Sequence, residues 1–340
     1  MKSVLTRQIK SQAHALGFDA VGIASLPPST PNSDSLQSAG DNSFSSSLRE
    51  ALTTWLSSGF HGTMAWLARD PYRRSHPEAV LPGCQSIIMV GMNYCPKDEL
   101  PDKPEIGRVA RYAWGKDYHR VLSSRLKELE QFIQELCPNG QTRSYVDTGA
   151  VMEKPWAQQA GIGWIGKHTN LVSTEFGSWL VLGEILTTVT LEADEPGTDL
   201  CGSCSLCIDA CPTGAILEPY QLDAEQCISY LTIEHHGTME EIPEELRKKI
   251  GNKIFGCDDC LDVCPFNVHA QPTKEKAFQP LPWTQNLALS SLLNMPKEDF
   301  QTFTQGSPLR RPQYEGFMRN IKIANANQKS SVSSTPIQSS

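Results

Sequence analysis

The sequence contains no long apolar run and no excess of positive charge. None of its hydrophobic stretches approaches the ~20 residues that a membrane-spanning helix needs. Residues 1–18 alternate charged and apolar side chains and lack the continuous apolar stretch of a secretory signal. We therefore expect a cytoplasmic protein without membrane contact. Because 30 Lys and Arg face 38 Asp and Glu, any contact with nucleic acid must come from a local basic patch.

Cysteine, in contrast, is abundant, with eleven residues. Thiols stay reduced in the cytoplasm, so clustered cysteines indicate metal binding rather than disulfides. A first run matches C-x2-C-x2-C-x3-C-P, the spacing by which bacterial ferredoxins bind [4Fe-4S] clusters, and comprises Cys201, Cys204, Cys207, Cys211 and Pro212. A second run repeats the last three cysteine positions and the proline with Cys257, Cys260, Cys264 and Pro265.

Symmetry between the two runs predicts the ligands of two [4Fe-4S] clusters. In two-cluster ferredoxins the fourth cysteine of a run binds the other cluster, and Cys227 is the simplest source of the cysteine that the second run lacks. The first cluster then has Cys201, Cys204, Cys207 and Cys264, and the second has Cys211, Cys227, Cys257 and Cys260. Structural zinc is the alternative, since C-x2-C pairs also suit tetrahedral Zn²⁺. We expect Cys84, Cys95 and Cys137 to be inert.

The chain before the cysteine runs interleaves helices and strands, which predicts an α/β or α+β domain over residues 1–190. Helices are predicted over residues 4–16, 47–57 and 120–137, strands over 19–24, 86–94 and 143–146, and an apolar run covers 178–189. Residues 25–47, rich in Ser and Pro, are predicted to form an inserted flexible loop. A ferredoxin-like two-cluster domain over 191–270, a short helical part over 271–326 and a disordered tail over 327–340 follow.

Two short motifs suggest other ligands, but their context argues against both. Gly161, Gly163 and Gly166 spell G-x-G-x-x-G, yet the preceding residues predict a helix where a nucleotide-binding loop needs a strand. Asp117 and His119 begin a D-x-H-x-x-G element, by which some proteins ligate cobalt, but leucine occupies its glycine position. We therefore assign neither a nucleotide nor a cobalt ligand from these motifs alone.

Longer strings resemble the epoxyqueuosine reductase family over most of residues 1–325. They are RYAWGKDYH at 111–119, SYVDTGAVMEKPWAQQAGIGWIGKHTNLV at 144–172 and CISYLTIEHHG at 227–237. The resemblance implies a cobalamin-binding domain fused to a double-cluster ferredoxin-like domain, an architecture similar to that of reductive dehalogenases. It also implies reduction of epoxyqueuosine to queuosine at the tRNA wobble position, with an electron donor as a second partner. We expect a monomer.

Reduction of an epoxide to an alkene needs two electrons and loss of the oxygen as water. The resemblance makes Asp147 the predicted general acid, with a pKa raised by burial in apolar surroundings. A turn or capping role is the alternative for an aspartate before Thr and Gly. The resemblance further implies cobalamin contacts from Arg111, Tyr112, Lys154, Trp156, Lys167, Thr169, Asn170 and Ser173. Trp156 and Trp164 could instead be only core residues.

Basic side chains concentrate near the C-terminus, where Arg310, Arg311, Arg319 and Lys322 are predicted to contact tRNA phosphates. A solvated charged face is the alternative for each of them. Two other functions also remain open: a corrinoid reductase of a small organic halide, and a ferredoxin-like electron carrier without a substrate site.

Overall fold

A computed structural model of the protein describes residues 2–26, 43–97, 103–285 and 287–333. We divide these residues into a front region (2–190), a cysteine region (191–270) and a C-terminal region (271–333). The helices and strands of the front region are α1 (Lys2–Ala15), β1 (Ala20–Ser25), α2 (Ser43–Ser57), α3 (Pro71–Ser75), α4 (Pro77–Val80), β2 (Ser86–Asn93), β3 (Arg108–Val109), α5 (Tyr118–Leu136), β4 (Thr142–Tyr145), α6 (Glu153–Gln159), β5 (Trp164–Ile165), β6 (Leu171–Val172) and β7 (Leu180–Thr187).

A four-stranded sheet in the order β1-β2-β7-β4 forms the centre of the front region. All of its pairs are antiparallel, and Ile88 of β2 lies opposite Ile23 on one side and Ile185 on the other. The sequence predicted β1, β2 and β4, marked β7 only as an apolar run, and left the fold class open between α/β and α+β. The antiparallel pairing makes the front region an α+β domain.

Helices cover both faces of this sheet, which explains why every residue of β2 is buried. Alternate side chains of a strand point to opposite faces. Ile88 and Val90 pack with Leu126 of α5, whereas Ile87 and Met89 pack with Trp156 of α6. The α6 side is tightly packed, since a Cβ on Gly22 of β1 would lie 1.9 Å from the Ala160 carbonyl oxygen.

The cysteine region and the C-terminal region consist of short elements and one long helix. They are α7 (Leu206–Asp209), β8 (Ile216–Glu218), β9 (Gln221–Leu222), α8 (Ile228–Ile233), α9 (Glu244–Ile250), β10 (Lys253–Phe255), α10 (Asp259–Asp262), α11 (Leu289–Leu292), α12 (Lys297–Phe303) and α13 (Gln313–Ser333). Strand β10 pairs in parallel with β3 of the front region. Phe255 of β10 shares a core with Val109 of β3 and Phe317 of α13, so that all three regions meet there.

Two predicted boundaries differ from the structure. Helix α13 continues to Ser333, although the sequence predicted a tail from residue 327, because Asn327 is held by hydrogen bonds to the carbonyls of Arg247 and Gly251. Helix α2 begins at Ser43, inside the loop predicted over 25–47. The rest of that loop, residues 27–42, and the tail residues 334–340 lie outside the described residues. No helix in the described part of the chain is long and apolar enough to cross a bilayer.

Candidate active site and cysteine centres

The seven cysteines of the two runs and Cys227 come together in two groups. In the first, Cys201 and Cys264 are electrostatic neighbours of Cys207, and Cys264 also has Cys204 as a neighbour. Burial raises the pKa of the Cys207 and Cys264 thiols, and the neighbouring sulfurs raise it further. Cys264 therefore lies with the first run although it belongs to the second.

The second group contains the remaining four cysteines. Burial raises the pKa of the Cys260 thiol well above its ordinary value, and the nearby sulfurs of Cys257, Cys227 and Cys211 add to the shift. Cys211 thus leaves the first run to join the second group. Outside both groups, burial raises the pKa of Cys84 to about 12, which keeps that thiol protonated and unreactive.

Asp147 lies in a turn directly after β4 and adopts the left-handed conformation, with φ of 58°. Its backbone N–H donates to the Glu153 carboxylate at the start of α6, at 2.5 Å. The hydroxyl of Tyr118 donates to its Oδ2 at 2.9 Å, and Nε2 of His119 lies 3.5 Å from the same oxygen. The side chain of Asp147 remains 61% exposed, so it faces open space.

Asp117 fixes the histidine that faces Asp147. Its Oδ1 accepts the backbone N–H of His119 at the start of α5 and contacts the imidazole Nδ1 at 2.7 Å. The imidazole therefore lies between two carboxylates. Burial alone would lower the pKa of His119, but hydrogen bonds to Asp117 and Asp147 outweigh it and raise this pKa to about 9.

The same contacts act on Asp147 in the opposite direction. The hydrogen bond with His119 lowers the pKa of the Asp147 carboxyl and outweighs the partial loss of solvent contact inside the cleft. The sequence predicted a raised pKa for this residue, and that prediction is wrong for the protein alone: a nearby imidazolium stabilises the carboxylate. At neutral pH the proton of the pair is therefore on His119.

Two further carboxyl groups lie behind the Asp147 turn. Burial, followed by the charge of Asp147, raises the pKa of Glu153. Glu184 of β7 is fully buried, and burial together with Glu153 raises its pKa as well. Two buried carboxyls this close cannot both be ionised cheaply, so the pair holds at least one proton at neutral pH.

Asp147 opens into a cleft of about 780 Å³ that all three regions line. Trp66 and Arg74 form one part of its wall, with the guanidinium carbon 4.9 Å from the indole centroid. Arg310 and Arg311 line another part, and Arg311 forms a two-point ion pair with Glu234 of the cysteine region. The cleft therefore combines a proton-bearing pair with cationic and aromatic walls.

Two smaller cavities share a lining residue with each other, and one of them reaches the second cysteine group. One of about 180 Å³ is lined by Tyr112, Lys154, Asn170 and Cys257. The ammonium of Lys154 donates to Oδ1 of Asn170 at 2.8 Å and interacts electrostatically with Asp147 and, more weakly, with Cys260. A neighbouring cavity of about 650 Å³ is lined by Arg111 and shares Asp258 with the first.

Comparison with known proteins assigns the family. Residues 74–148 match the family described as "Epoxyqueuosine reductase QueG, DUF1730", and residues 200–267 match the "4Fe-4S double cluster binding domain". The epoxyqueuosine reductase of Salmonella typhimurium is 41% identical over 330 residues, covering 95% of this chain and 80% of that protein. The chain belongs to the epoxyqueuosine reductase family.

Solved structures of this family have the same fold. An epoxyqueuosine reductase in complex with an epoxyqueuosine-modified stem loop of tyrosine tRNA superposes with a TM-score of 0.84 at 31% identity, covering 97% of this chain and 83% of that one. The Bacillus subtilis enzyme, with its catalytic aspartate loop swung out of the active site, gives 0.83 at 30% identity over the same shares. Membership in the epoxyqueuosine reductases confirms the predicted fold class and enzyme class.

The residues predicted to contact cobalamin do not form one surface. Arg111, Tyr112, Lys154 and Asn170 line the two smaller cavities, and the carbonyl of Thr169 accepts from Lys154 at 3.1 Å. Lys167 instead holds the first cysteine loop, donating to the carbonyls of Gly202 and Cys204 at 2.6 and 2.8 Å.

Two other predicted contacts, Trp156 and Ser173, lie away from these cavities and stay predictions. Trp156 is 1% exposed and packs under the sheet, the environment that the alternative of a core residue implies. Ser173 is buried in a turn, where its hydroxyl accepts the backbone N–H groups of Glu175 and Phe176. Neither side chain reaches a cavity wall described above.

One of the four predicted tRNA contacts is wrong. Arg319 is 5% exposed, and its guanidinium donates to the carbonyls of Leu231, His235 and Gly237. Its guanidinium is thus bound to backbone carbonyls of α8 and of the loop that follows, so it cannot reach a phosphate. Arg310 and Arg311 line the cleft, and Lys322 is exposed on α13.

Sequence reasoning missed the role of His119. The available signal was the D-x-H spacing, which we weighed only as a cobalt-binding motif. Read as the start of a helix, the same spacing indicates a capping aspartate that also orients the next histidine. What the sequence could not show is that the turn after β4 brings Asp147 to the other side of the ring.

We expect the His119 imidazole to titrate at about pH 9 in the folded protein. Asp117→Asn and Asp147→Asn should each lower this pKa toward the ordinary value of about 6.5, since each removes one carboxylate partner. Histidine side-chain NMR of the oxidised protein measures it, with Asp299→Asn on α12 as the control. The raised pKa means that this pairing stabilises the fold fully below about pH 6.5, where the imidazole is charged and as long as both carboxylates stay ionised, and that its contribution is lost as pH rises through about 9. A ring that titrates near pH 6.5 in the unaltered protein would contradict the arrangement.

Proposed function

We propose that the chain reduces epoxyqueuosine to queuosine at the wobble position of tRNA, with Asp147 and His119 supplying protons. The observation that carries this proposal is the Asp147–His119 pair, which opens into a cleft next to the second cysteine group. A reductive step that removes oxygen as water needs electrons and protons at one place. The family relationship supports the substrate, because relatives of this chain are epoxyqueuosine reductases and one is solved with a modified tRNA stem loop.

The cysteine groups hold the two [4Fe-4S] clusters of the double-cluster domain. We assign Cys201, Cys204, Cys207 and Cys264 to the first cluster and Cys211, Cys227, Cys257 and Cys260 to the second. The electrostatic neighbourhoods of these thiols support this division. Four converging thiols suit a cluster of four irons, each of which takes one thiolate.

We propose that cobalamin binds at the two smaller cavities, one of which is lined by Cys257 of the second group. Lys154, Asn170 and Arg111 offer hydrogen-bonding groups to the amides of a corrin ring, and Leu182 with Trp179 adds apolar wall. When bound, cobalamin supplies a strongly nucleophilic reduced cobalt, and the clusters supply single electrons. We propose that Arg111, Tyr112, Lys154, Thr169 and Asn170 hold it.

The side chains of the cleft handle the protons. Conversion of an epoxide to an alkene takes up two electrons and two protons and releases one water. The epoxide oxygen receives its first proton from Asp147, which draws it from the imidazolium of His119 over the 3.5 Å contact. Tyr118 donates to the same carboxylate oxygen and so fixes its orientation. Because Asp147 is exposed to the cleft, solvent can return a proton to the Asp147–His119 pair. The pair can then supply the second proton.

The cleft walls suit a nucleotide that has left its stack. Arg74, Arg310 and Arg311 carry positive charge for the phosphates, and Trp66, 37% exposed, offers a flat apolar face to a base. Lys322 remains a proposed outer contact on α13.

A tRNA substrate implies that the enzyme acts in the cytoplasm. The electron donor is a second partner of unspecified identity, and the monomeric state stays a prediction.

We expect anaerobic protein carrying both clusters, supplied with cobalamin and a chemical reductant, to convert epoxyqueuosine in tRNA to queuosine. Asp147→Asn should keep the clusters and cobalamin but lower turnover by about 10²- to 10⁴-fold, the usual size of a general-acid contribution. Nucleoside analysis of digested tRNA by mass spectrometry measures both results.

Asp299→Asn on the exposed side of α12 is the matched control and should leave turnover unchanged. Failure of the unaltered protein to consume epoxyqueuosine under these conditions would overturn the proposed function. Full turnover by Asp147→Asn would overturn only the role of this side chain.

Cys264→Ser should remove or damage the cluster built on the first run. The reason is that Cys264 is the fourth sulfur of that group, although the second run of the sequence contains it. Iron analysis should show about half of the iron lost, and EPR of the reduced protein should retain the signal of the other cluster. Cys137→Ser, outside both groups, should change neither. If Cys264→Ser instead removed the cluster of Cys227, Cys257 and Cys260, the assignment would be wrong.

A further inference from the structure

The glycine-rich segment of residues 161–167 lies against the first cysteine group. Its middle residues form β5, which pairs with β6. Gly163 permits this pairing, because a Cβ there would lie 2.1 Å from the Val172 carbonyl oxygen. Lys167 at the end of the segment holds the carbonyls of Gly202 and Cys204. Gly163, which suggests a phosphate loop, thus lets this strand lie close to β6, and Lys167 ties the segment to the cysteine loop.

Trp164 of this segment points its indole at a cysteine of the first group. The Nε1–H donates to Sγ of Cys201 at 3.4 Å, and the side chain is 1% exposed. Phe266 packs edge-to-face on the indole with ring centroids 4.8 Å apart. Val172 and Cys264 complete the same small core. The ring is therefore fixed between the loop of the first run and the end of the second.

Core packing alone does not account for this orientation. Trp156 is buried to the same extent, and within the described residues its indole nitrogen has no hydrogen-bond partner. The two indoles therefore differ in their contacts with protein acceptors although both are buried. At Trp164 the N–H meets a sulfur that carries negative charge when it binds iron, and such a sulfur is a stronger acceptor than a neutral thiol.

We propose that Trp164 raises the reduction potential of the first [4Fe-4S] cluster by donating its indole N–H to the Cys201 thiolate. This inference rests on the cluster ligands proposed above. Reduction adds one electron, and thus one negative charge, to the cluster and its sulfurs, while no bond is made or broken. A donor held at 3.4 Å stabilises the reduced state more than the oxidised state, since hydrogen bonds to cluster sulfurs tune their potential.

Lys167 supports this geometry from the other end of the segment. Its ammonium joins the backbone of Gly202 and Cys204 to β5 and its following turn, so that the Cys201 loop cannot move away from the indole. The role proposed for Trp164 is consequently to adjust the reduction potential of the first cluster. This residue does not touch the substrate cleft described above.

Trp164→Phe in the full-length protein with both clusters tests the proposal, because phenylalanine keeps an aromatic ring and removes the N–H donor. EPR-monitored redox titration with dithionite gives one midpoint potential for each cluster. We expect the reduction equilibrium constant of one cluster to fall by about threefold or more. This change lowers its midpoint potential by ~28 mV, since a tenfold change corresponds to about 59 mV for one electron. The other midpoint should stay in place. Cys201→Ser should alter the spectrum of the cluster whose midpoint moves.

Trp283→Phe is the matched control, since Trp283 packs on Phe303 in the C-terminal region and should leave both midpoints unchanged. Two unchanged midpoints in Trp164→Phe, or an equal shift in the control, would overturn the proposal. If Trp164→Phe fails to retain iron, ENDOR of the unaltered reduced protein labelled with ¹⁵N-indole tryptophan decides instead. A nitrogen coupling at the first cluster supports the hydrogen bond, and its absence overturns it.

These measurements need neither tRNA nor cobalamin. A chain that binds no iron at Cys201 would refute the cluster assignment of the proposed function. A chain that binds both clusters with unshifted midpoints would refute only the role of Trp164.

Discussion

The return of Cys264 to the loop of Cys201, Cys204 and Cys207 is the contact on which the arrangement of the molecule depends. The first group cannot form until the chain has passed through α8, α9 and β10 and come back. On this path β10 pairs with β3 of the front region, and Phe255 enters the core shared with α13. On the ligand assignment proposed above, iron binding would draw these four thiols together, and cluster assembly would be energetically linked to the docking of the three regions.

This arrangement separates the electrons from the protons. In the proposed function, electrons enter through the cysteine region, whose first group lies near the surface with Cys201 and Cys204 half-buried. The proposed entry for protons is the open cleft, where His119 lies between two carboxylates. Lys154 lies between the two sides, since it interacts with Asp147 and with the sulfur of Cys260. The wall between them is the natural place for a flat cofactor that takes up electrons on one side and faces the substrate on the other.

Local patterns in the sequence were sufficient to predict the two clusters and the long helix α5. The cysteine runs with their prolines predicted two clusters, which the family match confirms, and amphipathic spacing predicted α5 closely. The sequence could not predict contacts between residues that lie far apart in the chain. The acceptors of Arg319 are backbone carbonyls, which have no signature in the sequence. The pKa of Asp147 depends on a histidine 28 positions earlier, and only the fold places that imidazole beside it.

The left-handed backbone at Asp147 limits which side chains the turn can carry. At φ of 58°, most L-amino acids are strained, and Asn, Asp and Gly are the residues that adopt it most readily. Among these, only aspartate brings an ionisable group. A longer acid such as glutamate would add backbone strain and extend past the imidazole that it must meet. The choice of aspartate over glutamate at this turn is therefore imposed by the main chain as much as by acidity.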